Sequence, residues 1–87
     1  MIYELVYRNS VKKELRKLQH ADRVIIIDKI LRLKNEPNPD GSAKLKGSTD
    51  LYRIKHGNYR VVYQINNKIL TIVIITVGHR KDIYRKL

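Results

Sequence analysis

A chain of 87 residues with no cysteine and a formal net charge of +11 can bury one small hydrophobic core and little more. The missing cysteines exclude a disulfide framework, a thiolate metal site and a thiol nucleophile, and they suit a reducing, cytoplasmic location. The charge predicts a polyanionic partner, either a nucleic acid or an acidic protein. No apolar run is long enough to cross a membrane and no signal segment precedes the first predicted strand. We therefore expect a single domain over residues 1–87 that does not use a membrane.

The chain begins with a predicted strand and a predicted helix. Residues 2–8 alternate loosely and are rich in Ile, Val and Tyr, which is typical of a β-strand. Asn9 or Ser10 is expected to cap a first helix. Apolar residues recur at helical spacing over residues 11–18, and they predict the face that packs on the core.

A second helix is predicted after a short turn at residues 20–22 and is expected to run to about residue 35. Pro37 and Pro39 then end it, since proline disfavours helical backbone in the residue before it. The predicted apolar face is broad and consists of Val24, Ile26, Ile27, Ile30, Leu31 and Leu33. Together the two helices predict an αα-hairpin.

The second half of the chain predicts a sheet. A polar loop over residues 37–50 precedes it. Three strands are predicted, over residues 51–56, 59–66 and 69–77. Gly57–Asn58 and residues 66–68 are tight hairpin signals, Gly78 is expected to break the last strand, and residues 79–86 are expected to form a short terminal helix. The predicted fold class is α+β, with the order β-α-α-β-β-β-α and an antiparallel sheet packed against the αα-hairpin.

The first hairpin predicts which side chains share a face. With a two-residue loop, Lys55 lies directly opposite Arg60, and alternation puts Arg53 on the same face. The opposite face carries the side chains expected to pack on the helices, which are Tyr52, Ile54, Val61 and Tyr63. A slip of one residue would bury the charges, so this register is strongly preferred. Opposed like charges destabilise a hairpin by up to about 1 kcal/mol, which favours a phosphate-binding face over a merely solvated one.

The charge is concentrated beyond residue 50. Residues 51–87 hold eight Lys or Arg and one acidic residue, whereas residues 1–50 hold eleven and seven. The anion-binding face is therefore expected in the C-terminal part, where Arg80 and Tyr84 would share a face of the terminal helix.

Three segments resemble the RelE/ParE superfamily of toxin–antitoxin systems. They are YRVVYQ at residues 59–64, VGHRKDIY at residues 77–84, and LKG at residues 45–47 before the sheet. The resemblance extends over essentially the whole chain and implies a RelE-like, microbial-RNase-like fold. The RelE branch enters the ribosomal A site and cleaves mRNA there, whereas the ParE branch poisons DNA gyrase and lacks the nuclease residues.

The RelE branch implies a ribosome-dependent mRNA interferase, an endoribonuclease that uses neither a metal nor a cofactor. Its catalytic positions would be occupied here by Arg53, Lys55, Arg60, Arg80 and Tyr84, with His79 as a further candidate. Residues expected to bind RNA or the ribosome are Lys44, Lys46, Lys81 and Arg85. Arg53 departs from the lysine of the best-known members, and an arginine stays protonated and cannot act as a base. Lys55, His79 and Tyr84 remain open as the proton acceptor.

The resemblance also implies a cognate antitoxin, with acidic and apolar segments that order on binding the toxin. Two other readings stay open at the level of the sequence. A ParE-like toxin would inhibit gyrase without cleaving RNA, and a plain nucleic-acid-binding module would explain the basicity alone. The presence of Arg60, Arg80 and Tyr84 favours the nuclease.

Overall fold

The computed structural model of the chain describes residues 2–87, apart from the side chain of Lys86. Its elements are β1 (Glu4–Tyr7), α1 (Asn9–Arg16), α2 (His20–Arg32), β2 (Ala43–Lys44), β3 (Leu51–His56), β4 (Tyr59–Asn66), β5 (Thr71–His79) and a 3₁₀ helix, η1 (Ile83–Lys86). The strands form one five-stranded sheet in the order β1-β5-β4-β3-β2. This arrangement confirms the predicted α+β class, and none of the helices in the described range is long and apolar enough to span a bilayer.

The sheet is mixed rather than wholly antiparallel. β1 runs parallel to β5, with Glu4 opposite Thr71 and Tyr7 opposite Ile74, whereas the other pairs are antiparallel. β1 can run parallel to β5 because the two strands are not joined by a tight turn. The helices follow β1 in the chain, so no hairpin sets its direction. β2 was not predicted; this two-residue edge strand lies inside the polar loop and pairs with β3.

The helix boundaries differ from the predicted ones by a few residues. The backbone of Arg8 caps α1 and no side chain caps it, so the predicted cap at Asn9 or Ser10 is wrong and both residues lie inside the helix. The turn between the helices falls at residues 17–19, and α2 already begins at His20. α2 ends at Arg32, before the prolines.

The helices and the sheet enclose one core cluster. Its buried members are Val11, Leu18, Ile26, Ile30, Leu33, Ile54, Val61, Tyr63, Ile65, Ile72, Ile74 and Val77. The buried face of α2 is narrower than predicted, because Val24, Ile27 and Leu31 are between 37 and 52% exposed. The stripe formed by Ile26, Ile30 and Leu33 supplies the buried apolar contacts with the core cluster.

The last two strands are joined by a longer turn than the sequence predicts. Asn66 pairs with Thr71, so four residues close the turn, and the Asn66 side-chain oxygen accepts the backbone N–H of Lys68 at 3.0 Å. β5 then continues through Gly78, which pairs with Arg60, and ends at His79. The predicted strand break at Gly78 is therefore wrong, because the glycine occupies an ordinary ladder position.

Hydrogen bonds of two buried side chains, Glu14 and Tyr63, attach neighbouring segments to the sheet. The Glu14 carboxylate of α1 accepts hydrogen bonds from the Thr76 hydroxyl at 2.8 Å and the Val77 N–H at 3.0 Å, which ties α1 to β5. The Tyr63 hydroxyl donates to the Pro37 carbonyl at 2.7 Å, which ties the polar loop to β4. Burial raises the pKa of Tyr63 from 10.0 to about 12.

Replacing Tyr63 by Phe should lower the free energy of unfolding at pH 7 by about 1 kcal/mol, because the Pro37 carbonyl loses its donor. The raised pKa of Tyr63 adds a pH dependence, because the unfolded chain ionises at lower pH than the folded one. This contribution is present below pH 10 and is lost as the pH rises towards 12. Tyr63→Phe should therefore lose stability less steeply than the parent across that window. Urea unfolding from pH 7 to 11.5 measures both effects, and identical pH profiles would contradict the assignment.

Candidate active site

The β3–β4 hairpin has the register that the sequence predicts. Lys55 lies opposite Arg60, Arg53 opposite Val62 and His56 opposite Tyr59. Gly57 at the turn has φ +57°, a conformation that favours glycine and suits a tight hairpin. The hairpin therefore directs its basic side chains to the face of the sheet that lies away from the two helices.

Six side chains line an open groove of about 570 Å³ on this face. They come from β3, β4 and the segment after β5, and they are Arg53, Lys55, Arg60, Arg80, Lys81 and Tyr84. The lining holds five cations, one phenol and no carboxylate. Five of the six candidate catalytic residues thus lie together, and we define this set as the cationic groove.

The chain after β5 is fixed by backbone bonds and one anchor. The Arg80 N–H donates to the Asn58 carbonyl at 2.7 Å, and the Asp82 N–H donates to the His79 carbonyl at 2.9 Å. Ile83 is fully buried and holds η1 against β5. Tyr84, the next residue, is consequently presented to the groove with half of its surface exposed.

Two arginines of the groove, Arg53 and Arg60, are held without being neutralised. Arg53 donates to the Gly41 carbonyl at 2.9 Å, and Arg60 donates to the carbonyls of Gly57 and Tyr59 at 3.0 and 2.9 Å. Among the side chains that the structure describes, the ion pairs are Arg32–Asp28 and His56–Asp22, both outside the groove. Neutral carbonyls restrict the guanidinium groups while leaving their charge available to an anion, which is electrostatic preorganisation.

His79 does not line the cationic groove. It pairs with Tyr59, and the two rings meet edge to face with centroids 6.1 Å apart. Because Tyr59 packs against the core cluster, alternation places His79 on the helix side of the sheet. Its Nδ1 atom accepts the backbone N–H of Lys81 at 3.2 Å, so His79 shapes the turn that leads into the groove.

The residues expected to bind RNA are divided. Lys81 lines the cationic groove, whereas Lys44 and Lys46 line an adjoining depression of about 380 Å³. The depression and the groove share Arg53 and Tyr84 and therefore form one continuous basic surface. Arg85 is exposed and belongs to the lining of neither.

Some contributors to the site could not be read from the sequence. Leu87 is 49% exposed and lines the depression beside Leu45. The Gly41 carbonyl orients Arg53, and a main-chain acceptor in a polar loop leaves no pattern in side-chain types. The Asp40–Gly41 turn signal was the one available indication.

Fold and groove together define a small, basic α+β domain whose open face suits a phosphate polymer. The sequence matches the family model described as the ParE toxin of a type II toxin–antitoxin system over residues 5–84. A RelE-like toxin from Escherichia coli is 34% identical over 97% of this chain and 92% of its own length. The mRNA interferase toxin RelE of E. coli K12 is 32% identical over 93% of this chain and 86% of its own. The chain belongs to the RelE/ParE superfamily and is a toxin of the type II toxin–antitoxin class.

Solved structures give the same family. A variant of E. coli toxin RelE in the free state superposes with a TM-score of 0.82 at 30% identity, over 99% of this chain and 94% of that one. The archaeal RelE–RelB complex from Pyrococcus horikoshii contains a chain that superposes with a TM-score of 0.81 at 33% identity, over 92% of this chain and 97% of that one. Both comparisons cover nearly the whole fold, including the sheet that carries the groove.

The pair of Lys55 and Arg60 should reduce the stability of the fold. We expect Lys55→Gln to raise the free energy of unfolding by between a few tenths and about 1 kcal/mol, because it removes a like charge directly across the hairpin. Added salt should reduce the difference in free energy of unfolding between variant and parent, since screening weakens the repulsion in the parent. Urea unfolding at 20 mM and 500 mM salt is the measurement. A destabilised Lys55→Gln variant at low salt would show that the two cations do not repel appreciably.

Proposed function

We propose that this toxin, as a single domain over residues 1–87, is an mRNA interferase that cleaves translated mRNA in the ribosomal A site. The observation that carries the proposal is the gathering of Arg53, Lys55, Arg60 and Arg80 with Tyr84 in one groove whose lining holds no carboxylate. Such a groove binds a phosphate and stabilises the additional negative charge that builds up when the phosphate is attacked. Relatives named mRNA interferase support the same reaction class.

The reaction we propose is attack of an RNA 2′-hydroxyl on the adjacent phosphate, without a metal. The oxygen–phosphorus bond to the 5′-oxygen of the next nucleotide breaks, giving a 2′,3′-cyclic phosphate, and the 5′-oxygen takes a proton from water to leave as a free hydroxyl. In this proposal Arg60 and Arg80 neutralise the pentavalent phosphorane and Arg53 assists them, which their position in the lining of one groove supports. Tyr84 presents an exposed ring on which an unpaired base can stack.

We propose Lys55 as the group that takes the 2′-hydroxyl proton. Its exposed side chain lines the cationic groove, directly across the hairpin from Arg60. Arginines remain protonated and cannot take this role. His79 is less suitable, because it pairs with Tyr59 on the helix side of the sheet and its Nδ1 atom already accepts a backbone N–H.

The open form of the groove supports a requirement for the ribosome. A wide basic surface attracts any RNA through its phosphates, and such binding weakens steeply with salt. Such binding does not by itself align a 2′-hydroxyl with the scissile bond, and this alignment accounts for a large part of catalysis. In our proposal the ribosome supplies the alignment by holding the codon. The toxin then acts in the cytoplasm, where mRNA is translated.

A cognate antitoxin is the second partner that we propose. Solved structures of relatives include RelE–RelB complexes from P. horikoshii and E. coli. This chain offers such a partner two complementary features, namely its net charge of +11 and the exposed apolar residues of α2. An antitoxin with acidic and apolar segments would satisfy both.

Gyrase inhibition is the less favoured function. The matching family model carries the ParE description, but the similar toxins and structures reported above are RelE proteins. A gyrase inhibitor has no need of cations gathered around an exposed tyrosine, whereas a ribonuclease does.

Replacing Arg80 by Ala should abolish growth arrest and reduce mRNA cleavage on programmed ribosomes by at least about 100-fold, because a preorganised cation at the phosphorane is lost. The side chain is exposed, so the melting temperature should stay within a few degrees of the parent. Lys68→Ala removes one exposed base from the β4–β5 turn and is the matched control, which should remain toxic. A folded Arg80→Ala variant with full activity would overturn the assignment.

Substitutions of Lys55 separate a proton acceptor from a simple charge. If Lys55 is the base, Lys55→Arg should be nearly as slow as Lys55→Ala, since arginine keeps the charge and cannot deprotonate. Single-turnover cleavage on programmed ribosomes measures both variants beside His79→Ala. Near-parental rates for Lys55→Arg would remove lysine from this role, and a severe loss in His79→Ala alone would transfer it to the histidine.

A further inference from the structure

Helix α1 presents a wholly basic face to solvent. Its inward side chains belong to the core or pack against it, and they are Val11, Glu14, Leu15 and Leu18. The outward side chains are Lys12, Lys13, Arg16 and Lys17, all exposed. At 100° per residue these four bases occupy one side of the helix, opposite the buried side. We call them the α1 basic face.

The α1 basic face contains two like-charge pairs that repel along the helix, although Lys13 and Arg16 lie in the last turn, where cations favour the helix dipole. Lys12 and Arg16 are four residues apart, as are Lys13 and Lys17, and like charges at this spacing destabilise a helix. The first turn holds no acidic residue, and none of the four bases pairs with an acid among the described residues. An eight-residue helix has little intrinsic stability to lose, so the charges are better explained by a partner than by the fold.

This face is separate from the cationic groove. The α1 residues Val11 and Leu18 pack in the cluster that also contains Ile54 and Val61, which places α1 on the helix side of the sheet. The groove lies on the other side. A single RNA strand lying in the groove is therefore on the far side of the sheet from α1, and the basic face must meet a different polyanion or a distant part of a large one.

The chemistry of the face favours a phosphate backbone over an acidic protein. Protein interfaces are depleted of lysine and have an apolar centre, and the outward side of α1 from Lys12 to Lys17 exposes no apolar side chain. The exposed residues of α2 are instead apolar, including Val24 and Leu31, and they are the surface that a protein would cover. Lysine-rich faces without apolar residues contact phosphates and carry no base specificity.

We propose that the α1 basic face binds the phosphate backbone of double-helical RNA and so docks the toxin on the ribosome while the groove engages the mRNA. This inference rests on the proposed function for the identity of the large RNA. Docking through α1 separates binding from chemistry, because the contacts that bring the toxin to its site lie on one side of the sheet and the cleaving groups on the other.

The test compares two double variants with a charge-matched control. Lys12→Gln/Arg16→Gln and Lys13→Gln/Lys17→Gln each remove two bases, and glutamine keeps the helix propensity. Lys34→Gln/Lys68→Gln removes the same charge from positions outside α1 and the groove. Affinity for vacant 70S ribosomes and for a 20-base-pair RNA duplex is measured as a function of salt. Cleavage on programmed ribosomes and affinity for the antitoxin are measured in parallel.

Each α1 double variant should make the fall of log K with log salt less steep, by about 1.8 in slope, as expected for two lost phosphate contacts on a duplex, whereas the control should retain the parental slope. KM for programmed ribosomes should rise while kcat stays near the parental value. Unchanged ribosome and duplex affinities would overturn the proposal, as would a loss confined to antitoxin binding. Because vacant ribosomes report binding without cleavage, a failure of the proposed nuclease activity would be seen separately.

Discussion

The register of the β3–β4 hairpin is the constraint on which the rest of the site depends. Gly57 permits a two-residue turn, and that turn puts Lys55 across from Arg60. A slip of one residue would send these charges into the core and the tyrosines into solvent. The fold therefore fixes two cations side by side through hydrophobic pairing on the opposite face, and the core supplies the free energy that opposes their repulsion.

The same principle extends to the other side chains of the groove. Arg53 and Arg60 are bound by backbone carbonyls, so they have restricted geometry without a neutralising carboxylate. The backbone N–H of Arg80 donates to the Asn58 carbonyl in the hairpin turn. Tyr84 comes directly after Ile83, which is buried and anchors η1. Neutral or apolar groups thus hold the guanidinium groups of Arg53 and Arg60 and position the backbone that carries Arg80 and Tyr84. The result is a surface whose charge remains available until a phosphate arrives, which is the property that the proposed reaction requires.

The sequence predicted the pairing of the β3–β4 hairpin and its cationic face better than it predicted the parts around them. Hairpin pairing depends on a short turn and a period of two, and both can be read directly from residues 51–66. The direction of β1, the extra strand β2 and the exact turn between the helices depend on tertiary contacts that have no local pattern. His79 illustrates the limit. It follows Gly78, which was expected to end the strand, and the continuation of β5 to residue 79 assigned its side chain to the other face of the sheet.

The central claim is that the groove cleaves RNA by activating its own 2′-hydroxyl. The most direct measurement uses programmed ribosomes that carry an mRNA with one 2′-deoxynucleotide immediately 5′ of the scissile bond, beside the all-ribose mRNA. Our account predicts that the ribose mRNA yields a 2′,3′-cyclic phosphate and a 5′-hydroxyl, and that the single deoxy substitution abolishes cleavage at that bond. Cleavage of the deoxy-substituted mRNA at an undiminished rate, or products with a 5′-phosphate, would contradict it.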